Sequence, residues 1–146
     1  MPETRARDYE ALRDGLSLAG SELLPGHMGL EVIELAEARA RIRCELRPHH
    51  LAPNGYLHAG TVVTLADTAA GYGCVANLPE GATGFTTIEM KVNFMGTLLE
   101  GTLVAEARLI HGGQTTQVWD AEVRDEGSGK LLAAFRCTQF ILYPRG

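Results

Sequence analysis

The apolar positions along the chain follow two different periods. Residues 38–47 alternate strictly, with one face apolar and the other charged; the apolar members are Ala38, Ala40, Ile42, Cys44 and Leu46. A period of two predicts an antiparallel strand with one buried face. Residues from 59 to about 76 are instead apolar on nearly every side of a helical repeat. That pattern predicts a helix that is buried all round.

Weaker patterns predict the remaining elements. A helix is expected at residues 4–19, capped by Thr4, and strands are expected at 30–35, 85–94, 103–109, 116–124 and 131–143. In the strand at 85–94, one face is expected to carry Thr86, Ile88, Met90, Val92 and Phe94. A single all-apolar helix needs cover on every side, and a strongly curved antiparallel sheet can wrap most of it. The pattern therefore predicts an α+β fold, with a second copy of the chain covering what the sheet leaves bare.

Bulk properties limit the possible functions. The 146 residues suit one domain over 1–146, and a net charge of −5 gives no footprint for nucleic-acid binding. Three cysteines without metal-type spacing are expected to be buried thiols, which suits a reducing cytoplasm. No apolar signal segment or membrane span is present, so we expect a cytoplasmic protein. The adjacent pair His49 and His50 lacks a second ligand cluster, and no metal site is expected.

The long helix carries the candidate chemistry. Asp67 is the one acid between residues 62 and 76, and an acid in a buried helix is costly unless it is paired or used. At the predicted N-terminus, the N–H groups of Ala59, Gly60 and Thr61 lack helical partners. Such groups favour a bound anion or a polarised carbonyl. One loop–helix unit therefore offers an oxyanion donor and a carboxylate.

The same stretch resembles a known family. His58-Ala59-Gly60 is followed by Asp67 nine residues after the histidine, and the likeness continues through residues 87–95 and 111–115. These segments resemble the hotdog-fold acyl-CoA thioesterases, in particular the phenylacetate-pathway (PaaI-type) branch. The resemblance implies a curved antiparallel sheet around one central helix, with a short N-terminal helix. It also implies an acyl-CoA substrate, no separate cofactor, and a homodimer or homotetramer with shared active sites.

The resemblance assigns roles to individual residues. Asp67 would be nucleophile or general base, the Ala59 N–H the oxyanion donor with Gly60 beside it, and Thr87 a support for the water. Asn54 would orient substrate or water, and His58 would either act in catalysis or fix the loop through the backbone. Candidates for substrate binding are Tyr56, Leu57 and Phe85 at the acyl group, Lys91, Arg108 and the arginines of 39–47 at the phosphates, and Gln114 at a turn that often carries a basic residue. The arginine row also fits a plain solvated face.

Spacing adds one constraint that does not depend on the family. Eight residues separate Ala59 from Asp67, about 12 Å along a helix. One carbonyl cannot touch both within one chain, so a shared site implies an isologous dimer. Three alternatives remain: a hydratase or dehydratase of the same fold, a non-catalytic acyl-CoA or acyl-carrier binding protein, and a purely structural role for Asp67.

Overall fold

The computed structural model describes residues 6–146, in which the chain forms six strands and one long helix. The helices are α1 (Tyr9–Gly20), α2 (Leu24–His27) and α3 (Ala59–Ala76), and a 3₁₀ turn covers Pro48–His50. The strands are β1 (Leu30–Ala36), β2 (Arg39–Glu45), β3 (Gly84–Phe94), β4 (Thr102–Gly112), β5 (Thr116–Asp125) and β6 (Leu131–Leu142). The predicted helix at 59–76 is confirmed at both ends.

All six strands pair antiparallel in the order β1-β2-β4-β5-β6-β3, and α3 packs across one face of the sheet. The alternation predicted for β2 is confirmed, since Ala40, Ile42 and Cys44 are fully buried. Trp119 of β5 is also fully buried, and its ring lies against α3 at Gly73. The core therefore lies between α3 and the inner face of the sheet, as expected for an α+β fold.

The outer face of the sheet carries paired charges. Arg39 and Arg41 lie within 4.0 Å of carboxylate oxygens of Glu34 and Glu106, and Arg43 lies 2.8 Å from a Glu126 oxygen. The first two arginines thus share the same two acidic partners across neighbouring strands. This pairing fits the solvated charged face better than an open phosphate site.

The predicted face of β3 was wrong in its first half. A bulge at Ile88 shifts the pairing with β6 between Thr87 and Glu89. Phe85 and Thr87 therefore face α3 before the bulge, opposite buried residues of β6, whereas Thr86 does not. An extra residue in a strand reverses which side chains point inward, so only the later members of the predicted set (Met90, Val92 and Phe94) share the inner face.

The predicted start of the first helix was also too early. Residues 6–8 are not helical, and α1 begins at Tyr9 with the Asp8 carboxylate accepting the Ala11 N–H. Aspartate is a good N-cap because its oxygen satisfies a free N–H of the first turn. The predicted cap, Thr4, lies outside the described residues. All three cysteines are buried, as predicted.

Candidate active site

The entrance to α3 is fixed by a buried histidine. His50 is 1% exposed, its Nδ1 accepts the Arg47 N–H, and its Nε2 donates to the Met28 carbonyl at 2.8 Å. The His50 carbonyl in turn accepts the His58 N–H at 3.1 Å and the Thr61 hydroxyl at 2.9 Å. The side chain therefore anchors the loop to Met28, between α2 and β1, and the carbonyl sets where α3 begins.

His58 caps the helix. Its Nδ1 accepts the Gly60 N–H at 2.7 Å, so its ring carries the proton on Nε2. The structure thus shows the loop-fixing role that was one of the two expectations for His58. The Gly60 N–H is engaged by this bond and is not open to a ligand. The Ala59 N–H, by contrast, makes no hydrogen bond within residues 6–146, and Ala59 is exposed.

Asp67 lies two turns further along α3 and is only half-buried. Its Oδ1 is shielded from solvent and has no hydrogen-bond partner among the described residues. Burial raises the pKa of the Asp67 carboxyl above its ordinary value. Burial first, and then the negative charge of Asp67, raise the pKa of the Cys137 thiol to about 12. Asp67 therefore neighbours β6, in a setting that makes its carboxylate a stronger base.

Thr87 of β3 and Gln139 of β6 form a polar pair on the inner face of the sheet. The Thr87 hydroxyl donates to Gln139 Oε1 at 2.7 Å, and Gln139 is fully buried with no partner for its Nε2 in the described chain. Thr87 is the next inward-facing residue of β3 after Phe85. The Phe85 ring approaches α3 at Gly71, one turn after Asp67. The hydroxyl of Thr87 keeps its acceptor capacity for a water.

The loop before α3 is a tight turn with exposed side chains. The Asn54 Oδ1 accepts the Tyr56 N–H at 3.1 Å, and Gly55 has a φ of +87°. Tyr56 is 59% exposed, whereas Leu57 is half-buried against the core. The Leu57 N–H donates to the Thr97 hydroxyl at 3.0 Å, so residues just after β3 support the loop.

Two predicted substrate contacts lie away from this region. Lys91 has Arg136 as its cross-strand partner, on the outer face of the sheet. Gln114 lies in the turn between β4 and β5, where a groove is also lined by Asn77 at the far end of α3. Within one chain, Phe85 therefore approaches α3 one turn after Asp67, and Thr87 follows Phe85 on the same face of β3. Lys91 and Gln114 lie elsewhere.

One face of α3 is not covered by its own sheet. The half-buried positions recur at helical spacing, at Val63, Thr64, Asp67 and Thr68. The inner face of β3 leaves Met90 41% and Phe94 50% exposed, and β3 is one of the two edge strands of the sheet. Eight residues of one helix still separate Ala59 from Asp67, so the two do not meet within the chain.

A curved, six-stranded antiparallel sheet packed on one long helix is the architecture of the hotdog thioesterases. Comparison with known proteins agrees. Residues 54–132 match the model of the thioesterase superfamily, and the chain belongs to that family.

Individual relatives point the same way. The 1,4-dihydroxy-2-naphthoyl-CoA hydrolase of Listeria monocytogenes is 33% identical over 76% of this chain and 89% of its own. A thioesterase of Haemophilus influenzae, HI1161, superposes with a TM-score of 0.83 at 25% identity and covers 90% of each chain. The PaaI protein of Escherichia coli shares the fold, with a TM-score of 0.81 at 22% identity over 94% of this chain and 96% of that one. The predicted family and fold class are thus confirmed.

Three supporting residues escaped the sequence analysis. His50 was considered only as a metal ligand, although its place before a turn and a buried helix fits an anchor. The Thr61 N–H was expected to be open, but it donates to the His58 carbonyl at 3.0 Å, and the Thr61 hydroxyl donates to the His50 carbonyl. Gln139 sits in an apolar strand pattern, and a lone glutamine at an inward position was the available signal.

No helix within residues 6–146 combines the length and apolarity needed to cross a bilayer.

Proposed function

We propose that this chain hydrolyses the thioester of a small aryl- or short- to medium-chain acyl-CoA, in a site shared between two copies. The observation that carries the proposal is a pair of groups on α3 that have no hydrogen-bond partner within residues 6–146: the Ala59 N–H and the Asp67 Oδ1. One is a donor aimed out of a helix N-terminus, and the other is a carboxylate oxygen shielded from water. A thioester carbonyl under attack needs a donor and a base or nucleophile of this kind.

The reaction has two possible courses. With Asp67 as general base, water attacks the carbonyl carbon and gives a proton to the carboxylate, and the Ala59 N–H holds the oxyanion. The C–S bond then breaks, and the thiolate takes up a proton to give free coenzyme A and the acid. With Asp67 as nucleophile, the carboxylate attacks first and displaces the thiolate, and water then cleaves the resulting anhydride. Gly60 adds no second donor while its N–H is bonded to His58.

The second copy follows from distance and exposure. About 12 Å of helix separates the two groups in one chain. An antiparallel pair of α3 helices across a two-fold axis brings Asp67 of one copy to Ala59 of the other. β3 is an edge strand, and Met90 and Phe94 are exposed on its inner side. The second copy of such a dimer would cover this edge. A homodimer is the smallest assembly with a complete site, and a homotetramer would contain two such dimers.

Other residues take supporting roles in this proposal. Thr87, held by Gln139, accepts a hydrogen bond from the attacking water, and Phe85 forms an apolar wall one turn from Asp67. Asn54, Tyr56 and Leu57 lie on the loop before Ala59, where they meet the acyl group or orient the substrate carbonyl. Lys91 and Gln114 would contact substrate only across the subunit boundary.

The first experiment measures thiol release from a panel of aryl- and alkyl-CoAs by the wild type and the Asp67→Asn variant. Loss of a general base typically lowers the rate by about 10²- to 10⁴-fold. The matched control is Glu80→Gln, which removes an exposed carboxylate just beyond α3. Activity retained in Asp67→Asn, or tight acyl-CoA binding by a wild type without turnover, would contradict the proposal. The second result would favour a binding protein on the same scaffold.

A mixing experiment tests the shared site directly. Ala59→Pro removes the donor and Asp67→Asn removes the carboxylate, so each variant alone is expected to be inactive. Co-expressed, they form mixed dimers in which one of the two sites has both wild-type groups. Random pairing then restores about a quarter of the wild-type activity. No recovery, with mixed dimers present, would show that the site is not shared in this way.

A further inference from the structure

Few cations within residues 6–146 are free to hold an anion. Most lysine and arginine side chains in residues 6–146 lie within 4.0 Å of a carboxylate oxygen. In the described part of the chain, those without such a partner are Arg7, Lys91, Lys130 and Arg145. Arg7 donates to the carbonyls of Ala76 and Leu78 at the C-terminus of α3, so its charge is in use.

Lys130 lies beside the segment that supports the active-site loop. It directly precedes β6, and its Nζ would lie 3.5 Å from a Cβ placed on Gly96. The same glycine is tied to β6, since its N–H and that of Met95 donate to the Leu132 carbonyl. A side chain at position 96 would crowd both the lysine and Leu132, which lies 2.9 Å from that Cβ position. The missing side chain therefore leaves the ammonium group room at this spot.

A short path of contacts leads from this ammonium group to the oxyanion donor. Thr97 follows Gly96, and its hydroxyl accepts the Leu57 N–H at 3.0 Å. Leu57 precedes Ala59 by two residues. The unpaired charge thus lies on the flank of the loop through which a substrate would reach the Ala59 N–H. Lys91 faces the other side of the sheet, and Arg145 follows the opposite end of β6.

The chemistry of that position suits a phosphate group. With a net charge of −5, the chain does not attract a polyanion as a whole, so a phosphate needs a local unpaired cation. A lysine ammonium group is a compact charge on a flexible stem that binds phosphate oxygens. Coenzyme A carries its phosphates on a flexible pantetheine arm, at a distance from the thioester. A cation beside the entrance loop, not at the reacting carbonyl, is where such an arm would place them.

We propose that Lys130 binds a phosphate of the coenzyme A portion of the substrate. The proposal rests on the proposed function, in that it takes the substrate to be an acyl-CoA. It names a residue that the sequence pattern did not mark, in place of the basic turn residue that Gln114 replaces. A carrier-bound 4′-phosphopantetheine presents a similar phosphate, and the test separates the two sources.

The test measures the Kd of coenzyme A, 3′-dephospho-coenzyme A, 4′-phosphopantetheine and pantetheine by calorimetry, on the wild type and on Lys130→Ala. Loss of one partly exposed charge pair is expected to weaken coenzyme A binding about five-fold. Pantetheine binding should be unchanged, and Lys130→Arg should restore affinity. Arg145→Ala, which removes one equally unpaired charge at the far end of β6, is the matched control for net charge. An effect that persists with the 3′-dephospho compound assigns the contact to the pyrophosphate, and an effect that disappears with it assigns the 3′-phosphate.

Two results would overturn the proposal: equal coenzyme A affinity in wild type and Lys130→Ala, or an equal loss of pantetheine affinity. A loss caused by Lys91→Ala in place of Lys130→Ala would also overturn it. Lys130-dependent binding of phosphopantetheine with no further gain from the rest of coenzyme A would point to a carrier-bound thioester and overturn the assignment to coenzyme A. Because the readout is binding, it is separate from turnover. Failure of the Asp67 chemistry would leave these affinities as they are.

Discussion

Replacing Ala59 with proline separates the oxyanion donor from the fold. Ala59 is the first residue of α3, a position where proline is favoured because its missing N–H has no helical partner. His58 before it has φ −68° and ψ 130°, an extended conformation that a following proline tolerates. The change replaces the amide hydrogen, which makes no hydrogen bond within residues 6–146, with the Cδ of the proline ring.

The magnitudes follow from that geometry. No hydrogen bond of the free protein is lost, and a compatible proline restricts the unfolded chain, so the free energy of unfolding should change by less than about 1 kcal/mol. Loss of an oxyanion donor, by contrast, costs about 10²- to 10³-fold in kcat, or about 2.7–4 kcal/mol of transition-state stabilisation. A large kinetic effect should therefore accompany a negligible stability effect.

The assay is steady-state thiol release, with urea denaturation of the same samples. Ala59→Gly is the matched control, since it keeps the N–H and removes only the methyl group. It should stay within a few-fold of wild type. If Ala59→Pro retained kcat within about three-fold of wild type while folding normally, the Ala59 N–H would not be the oxyanion donor. If it unfolded, the helix start would depend on this N–H in a way that the structure does not show.

Three further outcomes are expected. His58→Ala should lower the free energy of unfolding by about 0.5–2 kcal/mol in urea titrations because the Gly60 N–H loses its cap, whereas His58→Asn should retain most of it. Asp67→Asn should be more stable than wild type at neutral pH, because burial raises the pKa of the Asp67 carboxyl in the folded state and its ionisation therefore opposes folding. The difference in melting temperature should vanish below the ordinary pKa of 3.8. Equal melting temperatures at every pH would refute this. Gly73→Ala should cost about 1–3 kcal/mol in thermal unfolding, because its Cβ would lie 2.7 Å from the Trp119 ring.

The elements with the strongest periodicity were predicted best. The helix predicted at 59–76 matches α3, and the alternating run predicted at 38–47 contains β2. Burial on all sides and burial on one side leave different patterns in the sequence. The face of β3 was predicted wrongly because a single bulge at Ile88 reverses the alternation. Nothing in a period-two pattern marks an extra residue whose side chain is itself apolar.

The candidate site was partly readable for a similar reason. Asp67 stands out because it is the one acid in an apolar helix, and the open N–H groups follow from helix geometry alone. Helix geometry does not say which of these N–H groups stays open. That depends on the rotamer of His58, whose Nδ1 accepts the Gly60 N–H and leaves the Ala59 N–H open. The support of the loop by His50 and Thr97 likewise depends on tertiary contacts. Thr97 bonds a residue 40 positions away and His50 one 11 positions away, and no local spacing connects either pair.

The proposed site is built from groups that have no hydrogen-bond partner within residues 6–146. A helix N-cap normally satisfies one of several free N–H groups, and here the cap acts on the second residue, so the first remains open. A buried carboxylate oxygen without a partner costs free energy, of the order of 1–3 kcal/mol for an unsatisfied polar atom. In the proposed dimer, the second copy would cover α3 and bury both groups further. Water and the thioester carbonyl then supply the missing partners, so part of the cost carried by the folded protein is recovered when substrate binds.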